Sequence, residues 1–138
     1  MALKITLKPH EKMILGGAVI TNGQTKSELM VENPVTILRQ NSILSPDEAD
    51  SPARRIYLAI QLMYVDPQQL KSHQHVYWQL VKDFLDAAPS SLGLIDEINE
   101  LILAEKFYDA LKSAKRLIEY EQEVIERVTK CSEILPIG

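Results

Sequence analysis

The chain has 138 residues, 46% of them hydrophobic, with a net charge of −4. That length and composition suit one ordinary core, or a core with an appended module, and exclude a globally disordered chain. No apolar run approaches the roughly 18–20 residues of a membrane-spanning helix, and Lys4 and Lys8 are interleaved with the first apolar residues, which is not signal-peptide patterning.

From Ala2 to Leu44 the sequence consists of short apolar runs separated by turn residues. The runs are Lys4-Ile-Thr-Leu7, Met13-Ile-Leu15, Ala18-Val-Ile-Thr21, Glu28-Leu-Met-Val31 and Val35-Thr-Ile-Leu38. Pro9-His10-Glu11 divides the first two, and Gly16-Gly17 the next two. Thr21-Asn22-Gly23-Gln24 follows with the strongest short hairpin signal, because Asn and Gly both tolerate positive φ. Pro34 lacks an N–H, so its run does not begin as a central strand. Strands this short must curl onto one another, onto helices or onto a second subunit.

Helical spacing takes over at Ser45. Ser45-Pro46-Asp47-Glu48 has the order of a helix start, with a capping hydroxyl, Pro and then acids. Ser51-Pro52 opens a helix to about Val65 that is apolar almost all round and so predicted to be central. Asp66-Pro67 stops it and starts a helix to about Ala88, with Tyr77, Leu80, Val81, Phe84 and Leu85 on one face. Leu92 to about Ala104 turns Leu94, Ile95, Ile98, Leu101 and Ile102 inward. A last helix from about Glu105 to Lys130 carries a stripe of Phe107, Ala110, Leu111, Ala114, Leu117, Ile118, Val124, Ile125 and Val128, interrupted at Glu121. This stripe either completes the bundle or docks on a partner's helix. The predicted class is therefore α+β: an antiparallel module of about five short strands over residues 1–44, then a bundle of about four helices over residues 45–138.

The charge divides at the same place. Residues 1–44 carry Lys4, Lys8, Lys12, Lys26 and Arg39 against Glu11, Glu28 and Glu32, a net +2, whereas residues 45–138 sum to −6. Phosphate attraction is possible at the strand module and disfavoured elsewhere. Lys8 and Arg39 fall at strand ends, with the Gln40 and Asn41 amides beside Arg39, a combination suited to phosphate and unpaired base edges. The competing structural role for Arg39 is an ion pair with an acid such as Asp47 or Glu48.

Catalytic and metal chemistry find no support. His73 and His75 diverge by about 200° on a helix, the wrong spacing for shared ligation. His10 has no Asp or Ser pattern near it for a triad. Gly16-Gly17 lacks the surroundings of a nucleotide loop. Glu119, Glu121, Glu123 and Glu126 among Arg116, Arg127 and Lys130 read as a solvated, salt-bridged helix face. The one cysteine, Cys131, cannot close an internal disulfide, which fits a reducing cytoplasm. No enzyme, cofactor or metal is expected.

Several strings resemble the FlbT family of flagellin regulators. They are Met1-Ala-Leu-Lys-Ile-Thr-Leu-Lys-Pro9, Gly17-Ala-Val-Ile-Thr-Asn22-Gly, Arg55-Ile-Tyr57, Ile60-Gln-Leu-Met-Tyr64 and Phe107-Tyr-Asp-Ala-Leu111-Lys. The resemblance spans nearly the whole chain. It implies a bacterial cytoplasmic protein that associates with the 5′ untranslated region of flagellin messenger RNA, altering its decay or translation, and that works alongside a second flagellar regulator, FlaF. The strand module alone is similar to the carbon storage regulator CsrA. The shared stretches are Thr6-Leu-Lys-Pro-His-Glu11-Lys-Met-Ile-Leu15-Gly, Glu32-Asn-Pro34 and Ile37-Leu-Arg-Gln-Asn-Ser-Ile43. CsrA forms an intertwined dimer that binds GGA motifs, which implies RNA contacts at Lys8 and Arg39 and a homo-oligomer through the strands. The first of CsrA's paired arginines falls here on Leu7.

Two expectations follow. In one, the protein is a repressor of flagellum biogenesis whose strand module holds a leader RNA through Lys8 and Arg39, with Lys4 and Lys12 adding field. In the other it is an adaptor whose last helix offers Leu111, Leu117, Ile118, Val124 and Ile125 to a partner such as FlaF, RNA effects being indirect.

Overall fold

The computed structural model describes residues 2–134, and the side chains of residues 2–128 among them. Cys131 therefore lies outside the described side chains. Five strands come first: β1 (Leu3–Leu7), β2 (Lys12–Leu15), β3 (Ala18–Thr21), β4 (Ser27–Val31) and β5 (Ile37–Arg39). Four helices follow: α1 (Pro52–Val65), α2 (Leu70–Ala87), α3 (Leu92–Leu103) and α4 (Phe107–Ile134). The fold is α+β. No described helix is long and apolar enough to cross a membrane.

The strands form two antiparallel sheets, a β1–β4 ribbon and a three-stranded sheet in the order β3-β2-β5. Gly16 and Gly17, at φ 59° and 90°, close the β2–β3 hairpin as a tight mirror-image turn requires. A Cβ on Gly16 would sit 2.8 Å from Val35 Cγ2, so the turn also has no space for a side chain. Asn22-Gly23, expected to close a β3–β4 hairpin, does not: β4 leaves for the other sheet and pairs with β1. The side chain of Asn22 is used instead to bind main chain, as described below.

Alternate residues of β2 serve two cores. Met13 joins Ile5 and Leu7 beneath the ribbon, while Ile14 and Leu38 belong to the helical core with Ile56, Ile60, Tyr77, Ile98 and Leu117. The strands therefore curl onto one another and onto the helices. As its composition suggests, α1 is central, with Ala53, Ile56, Tyr57, Ala59, Ile60, Gln61 and Met63 all buried. On α2, Tyr77, Val81 and Phe84 face inward, as do Ile95, Ile98 and Ile102 on α3.

Three polar groups within the apolar α1 hold the chain that leaves β5. Tyr64 Oη donates to Ile37 O at 3.3 Å and Tyr57 Oη to Ser42 O at 2.5 Å. Gln61 accepts from Leu44 N–H at 2.8 Å and donates to Leu44 O at 3.0 Å. Positions 57, 61 and 64 lie on one helix face, so α1 acts as a rail for residues 37–44. Burial, then the neighbouring Tyr108, pushes the Tyr57 phenol up to about 12, so it stays a donor well into alkaline pH.

Glu121, which interrupts the apolar stripe of α4, accepts a hydrogen bond from Ala53 N–H at 2.9 Å. With Ser51 Oγ taking Arg54 N–H, it caps the N-terminus of α1 from another helix. Ser45 and Glu48 form a capping box, but around a single 3₁₀ turn (Pro46–Glu48). The last helix starts at Phe107, not Glu105, because Glu105 adopts a left-handed conformation (φ 58°) that ends α3. There Glu105 N–H bonds Ile102 O and Lys106 N–H bonds Leu101 O. Replacing Glu105 with glycine should stabilise the protein by about 0.5–1 kcal/mol, measured by urea unfolding, since glycine occupies this region without a Cβ clash.

Candidate nucleic-acid interface

Three loops meet at one end of the strand module: residues 8–11, 22–26 and 39–41. Asn22 ties the first two together. Its Nδ2 lies 2.8 Å from Lys8 O, 3.0 Å from Thr25 O and 3.2 Å from Leu7 O, and its Oδ1 accepts from Ser27 Oγ at 2.9 Å. The main chain adds His10 N–H to Gly23 O and Asn22 N–H to Glu11 O, both at 2.9 Å. His10 holds φ at 61°, the left-handed value that lets the chain reverse between β1 and β2. The third loop is fixed by α1 from below and by Gln40, whose Oε1 accepts Lys12 N–H at 2.6 Å.

Together they enclose an open groove of about 1100 Å³ lined by Thr6, Lys8, Pro9, His10, Glu11, Lys26, Arg39, Gln40 and Asn41. Lys8, Lys26 and Arg39 face a single carboxylate, with the amides of Gln40 and Asn41 alongside. Neither Lys8 nor Lys26 forms an ion pair among the described residues. Cations and amides around a concave surface at strand ends can bind phosphate and hydrogen-bond unpaired bases.

Arg39 is paired, as its structural reading allowed, but with neither Asp47 nor Glu48. Its Nη2 lies 2.8 Å from Glu11 Oε2 and donates to Thr6 O at 2.9 Å. Glu48 is instead occupied in the Ser45 capping box. The guanidinium bridges the two sheets, and its Nε is buried without a partner. The Arg39 side chain keeps 41% exposure, against 15% for Glu11. A backbone N–H from Lys8, then the Arg39 guanidinium, hold the Glu11 carboxyl below its ordinary value.

Lys8 and Arg39 thus share the groove. Lys4 does not line it: its ammonium pairs with Glu28 at 3.4 Å, and the residue borders a neighbouring recess of about 590 Å³ with Tyr108 and Lys115. Lys12 contributes its backbone rather than its side chain. Sequence reasoning left His10 and Lys26 out of the RNA site. Lys26 arrives only because β4 crosses to β1, for which no local signal exists.

The stripe proposed for a partner splits in two. Leu111 and Leu117 are buried in the protein's own core, so as folded they offer no surface to another chain. Ile118 packs partly against that core. Val124 and Ile125 border an apolar recess of about 340 Å³ with Pro52, Leu80, Phe84 and Tyr120. Ile125 and Val128 are exposed. Elsewhere, His73 Nε2 lies 3.0 Å from Asp66 Oδ2, while His75 is exposed.

Residues 3–125 match the family model described as flagellar protein FlbT. The probable flagellum biosynthesis repressor protein FlbT 1 of Bradyrhizobium diazoefficiens is 46% identical over 125 residues, covering 90% of this chain and 85% of that one. The probable repressor FlbT of Rhodopseudomonas palustris is 34% identical over 127 residues, 92% of this chain and 100% of its own. The flagellum biosynthesis repressor protein FlbT of Caulobacter vibrioides is 34% identical over 131 residues, 94% and 93% of the two chains. No solved structure matches at a significant level. With the match running from β1 well into α4, the chain belongs to the FlbT family of flagellar proteins.

Proposed function

We propose that this protein is a cytoplasmic repressor of flagellum biogenesis that acts after transcription, associating with the 5′ untranslated region of a flagellin messenger RNA and altering its stability or translation. Residues 1–44 serve as the RNA-binding module and residues 45–138 as a partner-binding body. The supporting observation is the convergence of Lys8, Lys26 and Arg39, with the Gln40 and Asn41 amides, on one groove in a family whose curated members are named repressors. Lys4 and Lys12 add positive field around it. The acidic helices repel RNA that does not fit.

Removing Lys8 and Lys26 together should weaken binding of the flagellin leader at least tenfold at low salt. The slope of log affinity against log salt should fall by roughly 0.7 per lysine removed, the value for a single strand. Lys26 is chosen over Arg39 because Arg39 also links the sheets. Unchanged affinity and slope in a folded Lys8→Ala, Lys26→Ala variant would rule out this groove.

The exposed end of α4 favours a second reading. Ile125 and Val128 are exposed, and Val124 and Ile125 border an apolar recess that nothing in the described chain fills. In this account the helix binds a regulator of the FlaF type and the effect on RNA is indirect. A leader-RNA shift that appears only when the partner is added would support it over direct binding.

A further inference from the structure

We propose that the Glu11 carboxylate is a built-in occupant of a phosphate site in the groove, which an RNA phosphodiester must displace from Arg39. The proposal rests on the RNA reading above.

The donors around Glu11 are those an anion with two oxygens requires. Lys8 N–H points at Oε1 from 2.9 Å and Arg39 Nη2 meets Oε2 at 2.8 Å. A phosphodiester likewise presents two unbridged oxygens and one negative charge, and main-chain N–H groups with a guanidinium commonly hold it. The Lys8, Lys26 and Arg39 side chains line the same groove, so the local field favours an anion there.

Arg39 is also incompletely used. Among the described residues only its Nη2 makes hydrogen bonds, while Nε is buried without an acceptor. The Nη2 that meets Glu11 also holds Thr6 O, so a guanidinium 41% exposed at the groove wall can exchange the carboxylate for a phosphate while keeping its tie between the sheets. The resident carboxylate sets the threshold for that exchange. Weak or misplaced phosphates do not displace it, and a well-placed one gains Arg39.

The test compares the wild-type full chain with Glu11→Gln and Glu28→Gln, using the flagellin leader RNA and oligo(U) of equal length. Glutamine at position 11 can still accept from Lys8 N–H, but its amide offers the guanidinium no charge. Glu28→Gln removes the same charge from the same module, at a site that does not line the groove. Glu11→Gln should bind both RNAs about tenfold more tightly, the order expected for one like charge removed from an anion site. Its salt slope should steepen by roughly 0.7, one further phosphate contact on a single strand. Glu28→Gln should change affinity less than twofold.

Equal gains in the two variants would reduce the effect to net charge and overturn the proposal. So would unchanged or weaker binding by Glu11→Gln beside normal wild-type binding, which leaves the RNA reading standing. Binding by none of the three proteins would remove the RNA reading and the proposal with it. If Glu11→Gln does not fold, the Arg39 guanidinium resonance of the wild-type chain decides. A shift on titration with oligo(U) supports displacement, and no shift under conditions where RNA is bound overturns it.

Discussion

Leu117→Ala should lower the unfolding free energy by about 3 kcal/mol, whereas Ile125→Ala should leave it within about 0.5–1 kcal/mol. Both residues belong to one helical stripe, and spacing alone assigns them the same role. Their surroundings differ: Leu117 is 0% exposed in the core shared by strands and helices, while Ile125 is 48% exposed. Truncating Leu117 removes buried methyl groups and leaves a cavity among α1, α3 and α4 that rigid neighbours fill only in part. Truncating Ile125 removes surface that is already half in water. Urea unfolding of the two variants checks the difference directly. Equal costs would mean that the end of α4 is also buried, by contacts beyond those seen within this chain.

Gln61→Leu should cost about 2–4 kcal/mol in the same measurement. Leucine fits the apolar surroundings of α1, so a scale of hydrophobicity alone predicts a gain. The opposite is expected, because Gln61 satisfies both the N–H and the C=O of Leu44, and leucine leaves both without partners. The effect also reaches the groove. Gln61 works with Tyr57 and Tyr64 to hold residues 37–44, which carry Arg39, Gln40 and Asn41. On the proposed RNA reading, loss of that hold should weaken RNA binding as well as stability. A cost below about 1 kcal/mol would show that water serves Leu44 instead.

The elements were legible in the sequence because their signals are local. Pro52 and Asp66 bracket α1, and the pair Gly16-Gly17 marks the hairpin where the chain reverses. Strand pairing was not legible in the same way. Asn22-Gly23 carries the local signature of a hairpin, yet the preference of β4 for β1 is decided by apolar residues far upstream. The partner of Arg39 was missed for the same reason, since Glu11 lies 28 residues away in sequence. Lys26 joins the groove only through that crossover. Glu121 looked like a flaw in the stripe of α4, and its use became visible only once α1 was placed against it. The polar groups of Tyr57, Gln61 and Tyr64 were similarly hidden in a helix that reads as uniformly apolar.

The two-sided burial of β2 has a geometric consequence for any ligand of the module. With Met13 covered by the ribbon and Ile14 by the helices, the central strand has no open face on which a nucleic acid can be laid flat. Bases cannot spread across the middle of this sheet as they do on an exposed β platform. The open groove lies instead at the strand ends, where the chain reverses and its polar loops gather. Under the proposed RNA reading, recognition there is a matter of fitting a tip, which favours a short stretch of backbone at a bend or loop over a long rigid duplex.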